Sequence, residues 1–153
     1  MIRVLVPIEA YAHLTLAATY FALEFAKRHP AKVFFLLLAE AAAAGGKASG
    51  AAPERLPASA VFQQLLQRAR QQQVEVEVNS SQEEYLTAIQ QEVARLGIDD
   101  LVIALPPVGD PDYLRLHRRL EQLRHQVPCH IITVKPKEVS PTGMGGRSPK
   151  RQA

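Results

Sequence analysis

Two places in this 153-residue chain hold residues able to do chemistry. One is Glu9, the carboxylate that closes the apolar run Met1-Ile-Arg-Val-Leu-Val-Pro-Ile. The other is the loop Leu105-Pro-Pro-Val-Gly-Asp-Pro-Asp112, with Arg115, Arg118, Arg119 and Arg124 following it. An acid at a strand end is either a ligand contact or a solvated terminus. Arginines on one helix either grip phosphate or form the wet face opposite a buried stripe. Against phosphate, Pro106 and Pro107 delete two amide donors, and Asp110 and Asp112 put negative charge where a helix start would attract an anion.

Other constellations are weaker. His117 and His125 lie too far apart to share a helical face as metal ligands, and Cys129 and His130, adjacent on a strand, point to opposite faces. Neither a Gly-x-Ser-x-Gly elbow nor a phosphate loop ending in Gly-Lys occurs. Ser80 and Ser81 have no paired base. Glu75 and Glu77 share a wet strand face, and Asp99 and Asp100 belong to the amino end of the sheet, so neither pair is an acid–base couple. The residues favour a non-enzyme with no metal.

The elements that must position these groups follow from periodicity. Ile2 to Ile8 is a strand buried on both faces. Leu14, Ala18, Phe21 and Phe25 form a helix stripe ending before Pro30, and Val33 to Ala39 is a second strand. Residues 41 to 59, rich in Ala, Gly and Pro, read as a mobile connection. A helix over Ala58 to Gln73 points Val61, Leu65 and Ala69 inward. Val74, Val76 and Val78 alternate with glutamates in an edge strand. Ser81-Gln-Glu-Glu84 reads as a capping box before the stripe Leu86, Ile89, Val93 and Leu96, which stops at Gly97. Leu101 to Leu105 is the fourth strand. Asp110 as N-cap and Pro111 open the last helix, with Tyr113, Leu116, Leu120, Leu123 and Val127 buried. Cys129, a core residue, begins the last strand, which ends at Val134. Strands alternating with helices give an open three-layer α/β/α sandwich on a mostly parallel five-stranded sheet. Ligands of such sheets gather at the carboxyl ends of the strands, here Pro7 to Ala10, Ala39-Glu40, Asn79-Ser80 and Leu105 to Asp110.

The opening strand through Pro7-Ile-Glu9, the strand Leu101 to Leu105 and the closing Val127-Pro-Cys-His-Ile-Ile-Thr-Val-Lys-Pro resemble the universal stress protein family, over roughly residues 1 to 137. The resemblance implies strand order 3-2-1-4-5 and an adenine-nucleotide crevice at Pro7, Ile8, Glu9, Ala39, Ala104, Leu105, Gly109 and Arg118. Family members that bind ATP have Pro-Val-Asp where this chain has Pro7-Ile8-Glu9, the acid contacting the nucleoside. Their phosphate motif has a Gly-x-x-Gly step and, further on, a Gly-Ser or Gly-Thr pair. Those glycines fall here on Leu105 and Val108, and the pair falls on His117-Arg118 or Arg118-Arg119. Gly109 is one position off. Without the glycines, backbone amides cannot close around phosphate oxygens.

The net charge of +3 sits in the last residues. From Lys135 onward five basic residues face only Glu138, which leaves the remainder slightly acidic and speaks against nucleic-acid binding. Residues 138 to 153 read as a disordered basic tail. No run of about 18 apolar residues exists to span a membrane, no signal peptide is evident, and Cys129 as the only cysteine fits a reducing cytoplasm. An uncovered last strand predicts a homodimer through Cys129, Ile131, Ile132 and Val134, which the resemblance also implies. The chain thus reads as a non-enzymatic, cytoplasmic, universal-stress-protein-like module for stress response or regulation. It would act through protein partners, with ATP binding weak or lost. The alternative is an ATP- or AMP-binding stress protein that uses Glu9 and the last helix's arginines in place of the glycines.

Overall fold

The computed structural model describes residues 1–9, 12–38 and 60–136. Ala39, the expected connection over 41 to 59 and the expected tail over 138 to 153 lie outside the described residues. Strand β1 spans Ile2–Ile8, helix α1 Ala12–Arg28 and strand β2 Ala31–Leu38. Helix α2 covers Ala60–Gln71, β3 Glu75–Ser81, α3 Tyr85–Leu96 and β4 Asp100–Ala104. Helix α4, Tyr113–Gln126, leads to β5, His130–Val134. The strands form one sheet in the order β3-β2-β1-β4-β5, parallel throughout, which matches the expected α/β topology.

The central strand β1 has Val4, Leu5, Val6 and Ile8 at no more than 1% exposure. That full burial is why it reads as a continuous apolar run. Helix α1 packs against α2, and Gln90 of α3 donates to Gln126 of α4 at 2.6 Å. Right-handed crossovers then put α1 and α2 on one face of the sheet and α3 and α4 on the other.

Several local expectations need correction. The inward face of α2 is Phe62, Leu66 and Ala69: Ala69 is buried as expected, while Phe62 and Leu66 take the places expected of Val61 and Leu65, one position on. Val61 is half exposed, and Phe62 meets Phe35 edge to face at 5.5 Å. On α1, Leu14, Ala18, Ala22 and Leu23 are buried, whereas Phe21 and Phe25 are only partly covered; the small alanines let the helix lie close to the sheet. Val78 of β3 is exposed, because an edge strand's outer half lacks a neighbour.

The capping box is absent. Ser81 ends β3, and its Oγ accepts from the Glu83 amide at 3.1 Å. Glu84 is the N-cap of α3, its carboxylate accepting from the Leu86 and Thr87 amides. Those bonds, led by the Thr87 amide, hold the Glu84 carboxyl below its ordinary value. Gly97 ends α3 as expected, in the left-handed region at φ 65. Asp110 is likewise not the cap of α4. Its Oδ1 accepts from the Asp112 amide at 2.8 Å, a side-chain turn that delays the helix to Tyr113. Cys129 lies just before β5 and is half-buried rather than a core residue. Burial still pushes its thiol above the ordinary value.

Of the acidic pairs, Glu77 is paired with Lys32 at 3.0 Å and Asp100 lies 3.3 Å from His130. Asp99 accepts from the Arg3 amide at 2.8 Å, while the Arg3 guanidinium donates to the Leu96 carbonyl and so closes the end of α3. Buried Glu92 accepts from Asn79 at 3.0 Å and from Arg95 at 2.8 and 3.2 Å, tying α3 to the edge strand. Among the described residues no helix is long and apolar enough to cross a membrane.

Candidate functional site

The crevice begins with a register. Strand β1 pairs with β2 along its whole length, from Ile2↔Ala31 to Ile8↔Leu37. Against β4 it pairs only at Val4↔Asp100 and Leu5↔Leu101. Beyond Leu5 no ladder pair joins the two strands, and here the chain's strand order reverses. Such a switch point, at the carboxyl ends, is where open α/β sheets receive ligands.

Glu9 stands at that point. Its amide donates to the buried Thr15 hydroxyl at 3.2 Å, which ties the end of β1 to the first turns of α1. Its carboxylate Oε1 accepts from Nη2 of Arg119, at 2.5 Å. Arg119 comes from the middle of α4, and its guanidinium carbon lies 3.5 Å from the centroid of the Tyr85 ring at the start of α3. Tyr85 is 4% exposed, and the Glu9 and Arg119 side chains keep only 13% and 18% of theirs. A carboxylate, a guanidinium and an aromatic ring thus stack at the strand ends, where partial desolvation strengthens both contacts.

Beside this stack Pro7, Glu9, Leu14, Thr15, Ala18, Val102, Ile103 and Ala104 line a cavity of about 10 Å³. That is room for about one water molecule.

The loop after β4 has few amides to spare. The Leu105 amide donates to the Val134 carbonyl, and the Asp110 amide turns back to Pro107. The Asp112 amide goes to the Asp110 side chain, and the Tyr113 amide to the Asp110 carbonyl. Pro106, Pro107 and Pro111 have no amide hydrogen to offer. Between Leu105 and Tyr113 this leaves the amides of Val108 and Gly109, in the exposed part of the loop. Gly109 has no positive φ and open space around its α-carbon, so nothing there demands a glycine. Asp112 is paired with Arg115 at 3.0 Å, and Arg124 with Glu121 at 3.1 Å.

Of the residues read as the crevice, Pro7, Glu9 and Ala104 line the same small cavity. Ile8 is wholly buried in the core, Leu105 is buried, and Gly109 and Arg118 are exposed. Arg119 is the arginine that reaches Glu9, and Tyr85 and Thr15 complete the cluster. The signal for Arg119 was its place three after Leu116 and four before Leu123, on the flank of the buried stripe. Among the described residues no three or more of His, Cys, Asp and Glu stand together as a metal site.

No protein-family model matches the chain, and no curated protein matches it either. Solved structures do match in shape. A universal stress protein in complex with cAMP superposes with a TM-score of 0.61 over 89% of this chain and 98% of its own, at 13% identity. A universal stress protein family protein from Arabidopsis thaliana with AMP bound gives 0.56 over 90% and 93%, at 17% identity. The chain has the universal stress protein fold. The universal stress protein from Archaeoglobus fulgidus in complex with dAMP adds a third case, at 0.54 over 88% and 98%, with 14% identity. The resemblance read from the two ends of the sequence therefore holds at the level of the universal stress protein fold, strand order included.

Proposed function

We propose that this chain is a non-enzymatic module on the universal stress protein fold, with tight ATP binding lost. It works in stress response or regulation through protein contacts, as a homodimer joined along β5. One observation carries this reading. The group that would meet a nucleoside, Glu9, is engaged by Arg119 over Tyr85, while most amides of the adjoining loop are bonded internally or replaced by proline. No catalytic role is assigned to the cluster, since a carboxylate neutralised by a guanidinium is a poor general base. The dimer rests on β5 being the outer strand of the sheet, with Ile131, Ile132 and Val134 only half covered by their own chain.

A second reading has an observation of its own. The structural relatives hold AMP, cAMP or dAMP, and Arg119 places a guanidinium at Glu9. In that reading Glu9 and arginines of α4 take over from the glycine motif. A thermal-shift screen of the full chain against ATP, ADP, AMP and cyclic dinucleotides, with and without magnesium, separates the two. Ligand present at about a hundred times its dissociation constant stabilises the folded state by about 2.7 kcal/mol, a rise that such a screen resolves. The first reading expects no rise with ATP. A rise of several degrees with ATP and magnesium would favour the second.

A further inference from the structure

Helix α1 is apolar on more sides than its place on the sheet requires. From Leu14 to Leu23 it carries no charged residue. Leu14, Ala18, Ala22 and Leu23 are buried, and they form the single stripe that a helix on a sheet needs. Leu16, Ala17, Tyr20 and Phe21 lie off that stripe, and Tyr20 is 55% exposed. On the adjoining α2, Val61 is 51% exposed and Leu65 only partly covered. With Val134 at the end of β5 these side chains line an open groove of about 750 Å³. A narrower stretch shares Tyr20, Glu24 and Leu65 with it and continues between α1 and α2 as far as Gln72. Apolar surface left open in one continuous piece marks a place of contact with another molecule.

We propose that this groove docks one helix of a partner protein, a helix with an apolar stripe and an acidic opposite face. The proposal rests on the reading above that the chain works through protein contacts, and it names the chemistry of that partner. A helix fits because the floor of the groove consists of helix side chains. Backbone amides and carbonyls within α1 and α2 are bonded inside each helix, so a strand finds nothing to pair with. Leu16 with Tyr20, Ala17 with Phe21, and Val61 with Leu65 each stand four apart. Such rows form the grooves into which the ridges of a third helix seat. The groove follows α2, whose 12 residues span roughly 18 Å, a little over three turns of a partner helix.

The acidity follows from the charges at the two ends. Lys135 lines one end, and Lys27 and Arg68 line the other. Glu24, the one acid lining the groove among the described residues, is paired with Lys27 at 3.1 Å. That leaves Arg68 and Lys135 to meet a partner's carboxylates, which fixes its register and rejects a basic helix. The chain's own C-terminal residues have the wrong sign for this role. After Pro136, which lines the groove, Lys137, Arg147, Lys150 and Arg151 face only Glu138.

The test is fluorescence anisotropy on the full chain with a labelled peptide of about 18 residues, long enough to form a helix in solution. The peptide carries leucine at i, i+3, i+4 and i+7 and glutamate on the opposite face. A twin peptide carries lysine in place of every glutamate. The parent should bind the glutamate peptide with a micromolar dissociation constant, at least tenfold more tightly than the twin, and added salt should weaken the binding. Val61→Glu, at a position already half exposed, should weaken it at least tenfold. Arg68→Glu together with Lys135→Glu should reverse the preference toward the lysine twin. No binding by the parent, equal affinity for the two peptides, or binding that neither variant changes overturns the proposal. So does light scattering in which Val61→Glu dissociates a self-associated parent, since the groove would then hold a second copy of the chain. Failure of the peptide leaves the reading on ATP standing. Tight ATP binding by a chain that still holds the peptide removes that reading and keeps the groove.

Discussion

Arg119 and Glu9 stand 110 positions apart in the chain and meet at 2.5 Å at the carboxyl end of β1, with the guanidinium over the face of the Tyr85 ring. The pair closes a loop through most of the fold: β1 supplies the acid, α4 the cation and α3 the ring. Three elements that share no sequence neighbourhood are held in one geometry by a group of side chains that is neither fully buried nor solvent-screened.

That position sets an energy between the two extremes for ion pairs. Exposed pairs contribute about 0 to 1 kcal/mol, whereas removing one partner of a buried pair costs about 3 to 5 kcal/mol. For Arg119→Ala we expect a loss of about 2 kcal/mol in chemical denaturation, and a coupling to Glu9→Ala of about 1 kcal/mol in a double-mutant cycle. Strictly additive single losses would show that the contact contributes no pairwise energy.

Gly97 and Gly109 make a second, opposed pair. Gly97 ends α3 at φ 65, so an alanine there adopts a left-handed conformation at a cost of about 1 to 2 kcal/mol. Gly109 has neither positive φ nor a close neighbour, so Gly109→Ala should change stability by less than about 0.5 kcal/mol. A large loss at Gly109 would mean the loop needs a glycine after all.

The cap at Glu84 gives a pH dependence of known sign. Its carboxyl titrates below the ordinary 4.5 in the folded chain, first through the Thr87 amide and then through the Thr87 hydroxyl and the Leu86 amide. The folded state therefore binds fewer protons than the unfolded state there, and the cap's contribution is full above about pH 4.5. It fades as pH falls through the lowered folded value. Glu84→Gln should melt lower than the parent at neutral pH, and the difference should shrink at pH 3. A gap that widened in acid would contradict the cap.

How far could the sequence be read? The strands followed from apolar runs alternating with helical stripes, densest in β1, β2 and β4, which are buried on both faces, while their order came from the family resemblance. Boundaries fared worse where two local signals compete. Ser81 and Glu84 fit a capping box, yet Ser81 pairs as the last residue of β3 with Leu38, so the sheet takes it and Glu84 caps alone. Asp110 followed by Pro111 resembles a helix start, but the Asp110 side chain bonds the Asp112 amide and spends the signal on a turn. At the site, Glu9 was legible as an acid on a strand end. Its partner was passed over because family spacing centres on Arg118, although Arg119 stands three after Leu116 and four before Leu123, on the flank of the buried stripe. Tyr85 was hidden as the first residue of a helix whose start was read too early.

The edge of β5 gives a prediction about assembly. The full chain should scatter as a dimer at micromolar concentration, and Ile132→Lys should shift it toward the monomer by placing like charges near the twofold axis. A monomeric parent would remove the dimer from the account, and a dimer indifferent to the lysine would move its interface to another surface.

The central claim is that the strand-end crevice of this universal stress protein fold no longer grips ATP. Calorimetric titration of the full, unmodified chain with ATP and magnesium tests it most directly. The account predicts a dissociation constant well above about 10 μM, the equivalent of about −7 kcal/mol, or no measurable heat at all. A constant at or below that value would show that the Glu9–Arg119 pair and the proline-bearing loop do not keep ATP out.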